Sequence, residues 1–286
     1  MADCGNVANI WRNWALKFST LTRNGVSKLR MFCGEMDSYS WFPVGRLDAD
    51  VAGNLYRFRY VQGAIDAAEQ CGFAPFDSFP NFEREYVSGE LFPFFANRLQ
   101  NASRPSFREH LRRLNLERAD SEAFDPIEVL AVSEGRRATD NLEIFPNVER
   151  SEDGSFAIKF FLHGWRHIHP DSANRILSLQ TGETLGVAIE ATNPATGFAI
   201  QIQTQDRVVI GYAPRYLIDD LAQVILQCAG TVSASVSRLN RPPAPPSQRL
   251  LVSFEGCWPD DYQPMSGEMF ETLIGVGAGP EWNAAR

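Results

Sequence analysis

The chain offers little sulfur and no paired cysteine motif. Cys4, Cys33, Cys71, Cys228 and Cys257 are scattered through 286 residues, with no Cys-x-x-Cys pair. An odd, dispersed set argues against a disulfide framework and a zinc ribbon; the thiols are expected to be reduced, with Cys71, Cys228 and Cys257 as small core residues. No apolar run approaches the roughly 18 residues of a membrane helix, so no membrane partner is expected. The N-terminus lacks the compact apolar core and small-residue cleavage site of a secretory signal, which makes the cytoplasm the expected location. A Gly-x-Ser-x-Gly elbow is missing too. Ser133, His110 and Asp140 could be assembled into a nucleophile, base and acid, but no spacing places them together. Neither enzyme activity nor a cofactor is expected.

Positive charge is also scarce. The formal net charge is −8, and phosphate recognition wants concentrated positive charge. Only the first 31 residues are net basic, with Arg12, Lys17, Arg23, Lys28 and Arg30 against Asp3. Both later segments are net acidic, so any nucleic-acid contact has to come from a local face. Nearly all the basic residues are Arg, whose planar fork suits bidentate contact to carboxylate or phosphate.

What is present is a soluble-type composition long enough for two modest cores. Val7, Ile10, Trp11, Trp14, Phe18 and Leu21 recur at helical spacing, so residues 1–30 are expected to hold an amphipathic, basic helix over 7–21. Residues 31–150 read as an α+β domain. Val44 to Leu47 and Leu55 to Tyr60 alternate as strands joined through Ala52-Gly53-Asn54. A helix from Ala64 to Cys71 is stopped by Gly72, and a loop rich in Phe and Pro follows. Helices are expected at 91–99, at 107–116 and from Asp125, with Pro126 in the first helical position. Glu143-Ile-Phe-Pro-Asn147 reads as a turn into an acidic link at 149–154, the expected domain boundary.

Residues 155–260 read as a small, mostly β barrel of the oligonucleotide-binding (OB-like) sort with one helix. Strands are expected at 156–162, 184–190, 197–204, 207–211, 231–239 and 250–256, and the helix at 216–227. Residues 261–286 read as a C-terminal tail. His163, His167 and His169 share one strand face by parity, which is compatible with metal ligation. With Asp171 as the one further candidate ligand nearby, a solvated or ligand-facing ring cluster is the preferred reading, and no metal is expected. Trp165, Arg166 and His167 would suit a stacking and phosphate-binding surface, while Trp165 could equally plug the barrel. Arg215 could meet a phosphate at the helix start or pair with Asp219.

Two resemblances follow from particular motifs. Asn193-Pro194, Phe198-Ala-Ile200 and Ile210-Gly-Tyr-Ala-Pro-Arg215 resemble the HIRAN domain over about residues 157–257. That resemblance implies a β-barrel module that grips single-stranded DNA ends, with Trp165, Arg166, His167, Asn193, Tyr212 and Arg215 as nucleic-acid contacts. In DNA-end-binding members an Arg-aromatic pair follows the first strand, matched here by Arg166 and His167. A Tyr-Asp pair follows the Asn-Pro turn, where this chain has Ala195 and Thr196. Base stacking on an aromatic is worth roughly 1–3 kcal/mol per base, so that exchange removes a large part of an end-specific grip.

The second resemblance covers residues 40–147. Val44-Gly45-Arg46-Leu47, Tyr56-Arg-Phe-Arg-Tyr60, Glu90-Leu-Phe-Pro-Phe-Phe-Ala-Asn-Arg-Leu99 and Asp125-Pro-Ile-Glu-Val-Leu-Ala-Val-Ser-Glu-Gly135 resemble, in order, the N-terminal subdomain of HipA-type kinases. No glycine-rich phosphate loop or His-x-x-Asp catalytic loop follows, so the resemblance implies a contact module without a kinase core. Phe92, Phe95, Arg98, Arg136 and Arg137 are its candidate partner-contacting residues. The implied partner is a HipA-type kinase or a repressor, and the implied setting is bacterial toxin–antitoxin regulation or phage defence.

Overall fold

The computed structural model describes residues 22–23, 26–34, 41–117, 124–137, 139–194 and 196–274. The helix expected over 7–21 lies outside them. The described part of the 1–30 segment is strand rather than helix: β1 (Thr22–Arg23) turns into β2 (Val26–Gly34).

β2 pairs antiparallel with β3 (Trp41–Asp50), which forms a hairpin with β4 (Leu55–Tyr60). The chain then enters α1 (Gln62–Cys71), which ends where Gly72 adopts the left-handed conformation at φ 69°, as a C-terminal glycine allows. β5 (Tyr86–Ser88) adds to β4 as an edge strand. α2 (Pro93–Ala96) is one turn where a longer helix was expected, and α3 (Phe107–Arg113) follows. α4 (Pro126–Ser133) opens as its sequence predicts, with the Asp125 carboxylate accepting the Ile127 N–H at 2.8 Å. The expected turn at 143–147 is instead β6 (Leu142–Pro146), which pairs with the other edge of β2. The first core lies between this sheet and its cover of α1, α4 and the aromatic loop, with Leu47, Phe58, Tyr60, Phe79, Phe95 and Ile127 at its centre.

The second sheet runs in the order β10-β9-β8-β11-β12-β7, all antiparallel. Its members are β7 (Ser155–Phe161), β8 (Thr184–Asn193), β9 (Gly197–Gln203), β10 (Val209–Tyr212), β11 (Ser233–Leu239) and β12 (Leu250–Cys257). α5 (Pro170–Leu177), not expected from the sequence, follows β7, and α6 (Ile218–Gln227) packs against β9. The sheet is not the closed barrel expected. Its two edge strands meet at one isolated bridge, His163 with Tyr212, and not along a ladder. Phe160, Ile200, Ile202, Leu221, Val252 and Phe254 form its core. Among the described residues no helix is long and apolar enough to cross a membrane.

The two units share side chains. Phe145 of β6 stacks on Tyr216 at 4.0 Å and 8°, and Leu114, Val129, Phe161 and Leu251 make a third apolar cluster. Part of the segment expected as a tail also crosses back. Thr272 bridges Val61, and the Leu273 N–H donates to the Tyr60 carbonyl at 3.1 Å. Asp220 of α6 holds the start of that return, accepting the Tyr262 hydroxyl at 2.6 Å and the Met265 N–H at 3.2 Å. Asp220→Ala leaves both donors without this acceptor and is expected to cost about 1–3 kcal/mol, measured by urea unfolding. A loss under a few tenths would show that water replaces the carboxylate.

Candidate nucleic-acid interface

The exposed turn begins where β7 runs out. Leu162 and His163 leave the sheet, and His163 exchanges two backbone hydrogen bonds with Tyr212, at 2.9 and 3.1 Å. Gly164 then turns the chain with φ +68°, and a Cβ there would lie 2.5 Å from the Tyr212 ring. Only glycine tolerates both the backbone angle and that approach. The His167 N–H closes the turn on the Gly164 carbonyl at 2.8 Å. Trp165, Arg166 and His167 are therefore presented together, all exposed. Trp165 keeps 37% of its surface open, with the Arg166 guanidinium 5.0 Å above its ring.

Tyr212 underlies this turn. Burial raises the pKa of its hydroxyl, and Glu190, which bonds to it, raises it further, so the phenol stays neutral. Glu190 also accepts from Asn193 Nδ2 at 2.9 Å, while Asn193 Oδ1 accepts the Thr196 N–H at 3.2 Å. Asn193 is thus engaged in shaping the β8–β9 turn. Four of the six expected nucleic-acid contacts, Trp165, Arg166, His167 and Tyr212, come together; Asn193 joins them through Glu190. Arg215 does not. Its guanidinium lies 4.7 Å over the ring of Trp41, a residue of the other unit. The three imidazoles do not converge either: His169 caps α5 by accepting the Asp171 N–H at 3.3 Å, and His163 points inward.

That inward side meets a charge cluster built from both units. Glu134, in the left-handed residue that ends α4 (φ 60°), accepts from His163 Nε2 at 2.8 Å and from the Tyr216 hydroxyl at 3.2 Å. Arg136 lies between Glu134, at 2.7 Å, and Glu143 of β6, and its guanidinium also lies 2.9 Å from His163 Nε2. Burial would raise the Glu134 pKa, but the His163 and Arg136 charges, with hydrogen bonds from His163 and Tyr216, hold it well below the usual carboxylate range. Glu143 goes the other way, raised by burial and by the neighbouring Glu134 charge against the pull of His163, Arg136 and Arg215. Beside this cluster a cleft of ≈ 690 Å³ opens between the units, lined among others by Arg98, Arg104, His110, Ser133 and Arg136. Ser133 Oγ accepts the Gly135 N–H, and both oxygens of Asp140 are held by Arg98, so these groups are used inside the fold.

The candidate partner contacts are divided by burial. Phe95 is fully buried in the first core. The Arg98 side chain is 2% exposed, bidentate to Asp140 and bonded to the Gly135 carbonyl. Neither is presented to a partner, because the fold uses both as internal ties. Phe92 is half-buried, while Arg136 and Arg137 are exposed. The sequence reading missed Glu134 and Glu143. The signal was there for Glu143, a lone carboxylate between Leu142 and Ile144 in a short apolar run.

No protein-family model and no curated protein sequence matches this chain. Two solved structures are similar to part of it. One is a protein from Lactobacillus plantarum, at 21% identity and a TM-score of 0.28, covering 36% of this chain and 99% of that one. The other is the HIRAN domain of human HLTF, at 16% identity and a TM-score of 0.25, covering 37% of this chain and 84% of that one.

Proposed function

We propose that the second unit binds single-stranded nucleic acid on the turn formed by Gly164 to His167. One observation carries this reading: Trp165 stands open on a turn pinned to Tyr212, with Arg166 over its ring. A base can stack on the indole while the guanidinium meets the adjoining phosphate. His167 adds a second ring, and the resemblance of residues 157–257 to HIRAN domains supports the same ligand. Glu190 beside Tyr212 and the net charge of −8 make contact with many phosphates unfavourable. Binding is thus short in footprint, and it needs low salt.

The test is fluorescence anisotropy with labelled single-stranded, 3′-recessed and duplex DNA at low salt. Trp165→Ala is expected to weaken single-strand binding roughly tenfold or more. Arg166→Ala should weaken it less and flatten the salt dependence by about 0.7 per lost phosphate contact. No binding to any of the three, or variants indistinguishable from wild type, would sink the reading.

The first unit, through its resemblance to the HipA subdomain, would contact a protein in the cytoplasm, a HipA-type kinase or a repressor, with Phe92 and Arg137 available and Arg136 held by Glu134 and Glu143. Bacterial defence or toxin–antitoxin regulation is the setting that the two resemblances suggest. Net acidity favours a second reading, a protein-interaction subunit with no nucleic-acid role. Co-purification from the native source separates the two: nucleic-acid-processing partners support the first, a kinase or repressor alone the second.

A further inference from the structure

We propose that Glu134, Glu143 and His163 form a site for a divalent transition-metal ion, with Arg136 as the displaceable cation that competes for it. One ligand atom from each of the three lies within 4.8 Å of the others, the only such group among the described residues. Donors about 2.0–2.2 Å from a zinc ion sit roughly 3–4 Å from each other, so a small contraction completes the arrangement. The donors come from the end of α4, from β6 and from the bridge after β7, and both units are needed to assemble them.

A second observation points to a ligand. The Glu143 side chain is 8% exposed, and its Oε2 is buried with no hydrogen-bond partner, although Oε1 is bonded to Arg136. A buried carboxylate oxygen left without a partner is costly, and a metal ion would satisfy it. Arg136 is the most exposed member of the cluster. Its side chain is 39% exposed and lines the cleft, which gives both an exit for the guanidinium and an entry for an ion. Two carboxylates and one imidazole match Zn²⁺ or Mn²⁺, whereas Mg²⁺ and Ca²⁺ prefer all-oxygen sets. Tyr216, bonded to Glu134, would orient that ligand from outside the coordination sphere.

Isothermal titration of the full chain with Zn²⁺, repeated with Mn²⁺ and Mg²⁺, tests this. One Zn²⁺ per chain is expected, with Mg²⁺ far weaker. Arg136→Gln should tighten binding roughly tenfold or more by removing the competing charge. Tyr216→Phe should weaken it roughly tenfold, and Glu143→Gln or His163→Ala should abolish it. A variant with both His167→Ala and His169→Ala should bind as wild type does. If Arg136→Gln does not fold, the visible spectrum of the wild-type chain titrated with Co²⁺ decides, through a band that Glu143→Gln removes. No stoichiometric uptake of Zn²⁺ or Mn²⁺, or uptake that His163→Ala leaves unchanged, overturns the proposal.

Discussion

Glu134→Ala is expected to destabilise the protein by about 3–5 kcal/mol, the loss typical of breaking a buried charge network from one side. The Glu134 side chain is 7% exposed and serves Arg136, His163 and Tyr216 at once. Its removal leaves a buried phenol without that acceptor and leaves Glu143 as the carboxylate on Arg136. Tyr216 stacks on Phe145 across the two units, so the damage falls where they are joined. In thermal unfolding the loss should lower Tm by about 10 °C for a chain of this size. A change below about 1 kcal/mol would mean that water solvates the cluster in place of its carboxylate.

Phe79→Ala is expected to cost a similar amount, about 3–5 kcal/mol, as large-to-small changes at buried aromatics do. The residue lies in a loop with no regular structure, yet it is among the most buried side chains of the first unit. Its ring stacks 4.1 Å from Phe58 and packs edge-on against Tyr86 at 5.1 Å, Phe92 at 5.2 Å and Phe94 at 5.5 Å. Its carbonyl accepts the Tyr60 hydroxyl at 2.8 Å. Truncation opens a cavity walled by rings that belong to β4, β5 and α2, which cannot all close inward together. Val87→Ala, on the exposed face of β5, is the control and should stay within about 0.5 kcal/mol. Urea midpoints of the two variants measure the contrast.

The parts of the fold that could be read in advance are those written in neighbouring residues. Asp125-Pro126 opens α4 and Gly72 closes α1 because caps act within one turn. The β3–β4 hairpin follows from alternation around 52–54. β6 was hidden because Glu143 and Pro146 look like turn residues. Its strand character comes from β2, more than a hundred residues earlier. α5 carries a Pro at its first turn, but its cap is a histidine, outside the Ser, Thr, Asp and Asn that mark helix starts. At the site, Trp165, Arg166 and His167 were legible since one turn presents them. Arg215 on Trp41 and the Glu134–Arg136–Glu143–His163 cluster were not, because no local spacing encodes a contact between separate elements.

The return of residues 271–273 onto the first sheet has a consequence for how the protein is made. Leu273 packs at the edge of the first core, and Thr272 bridges Val61 next to the start of α1. A ribosome delivers domains in order from the N-terminus, and each can fold as it emerges. Here the earliest unit waits for residues that follow the whole of the second unit before its final hydrogen bonds can form. Its assembly is therefore completed only once the second unit has been synthesised.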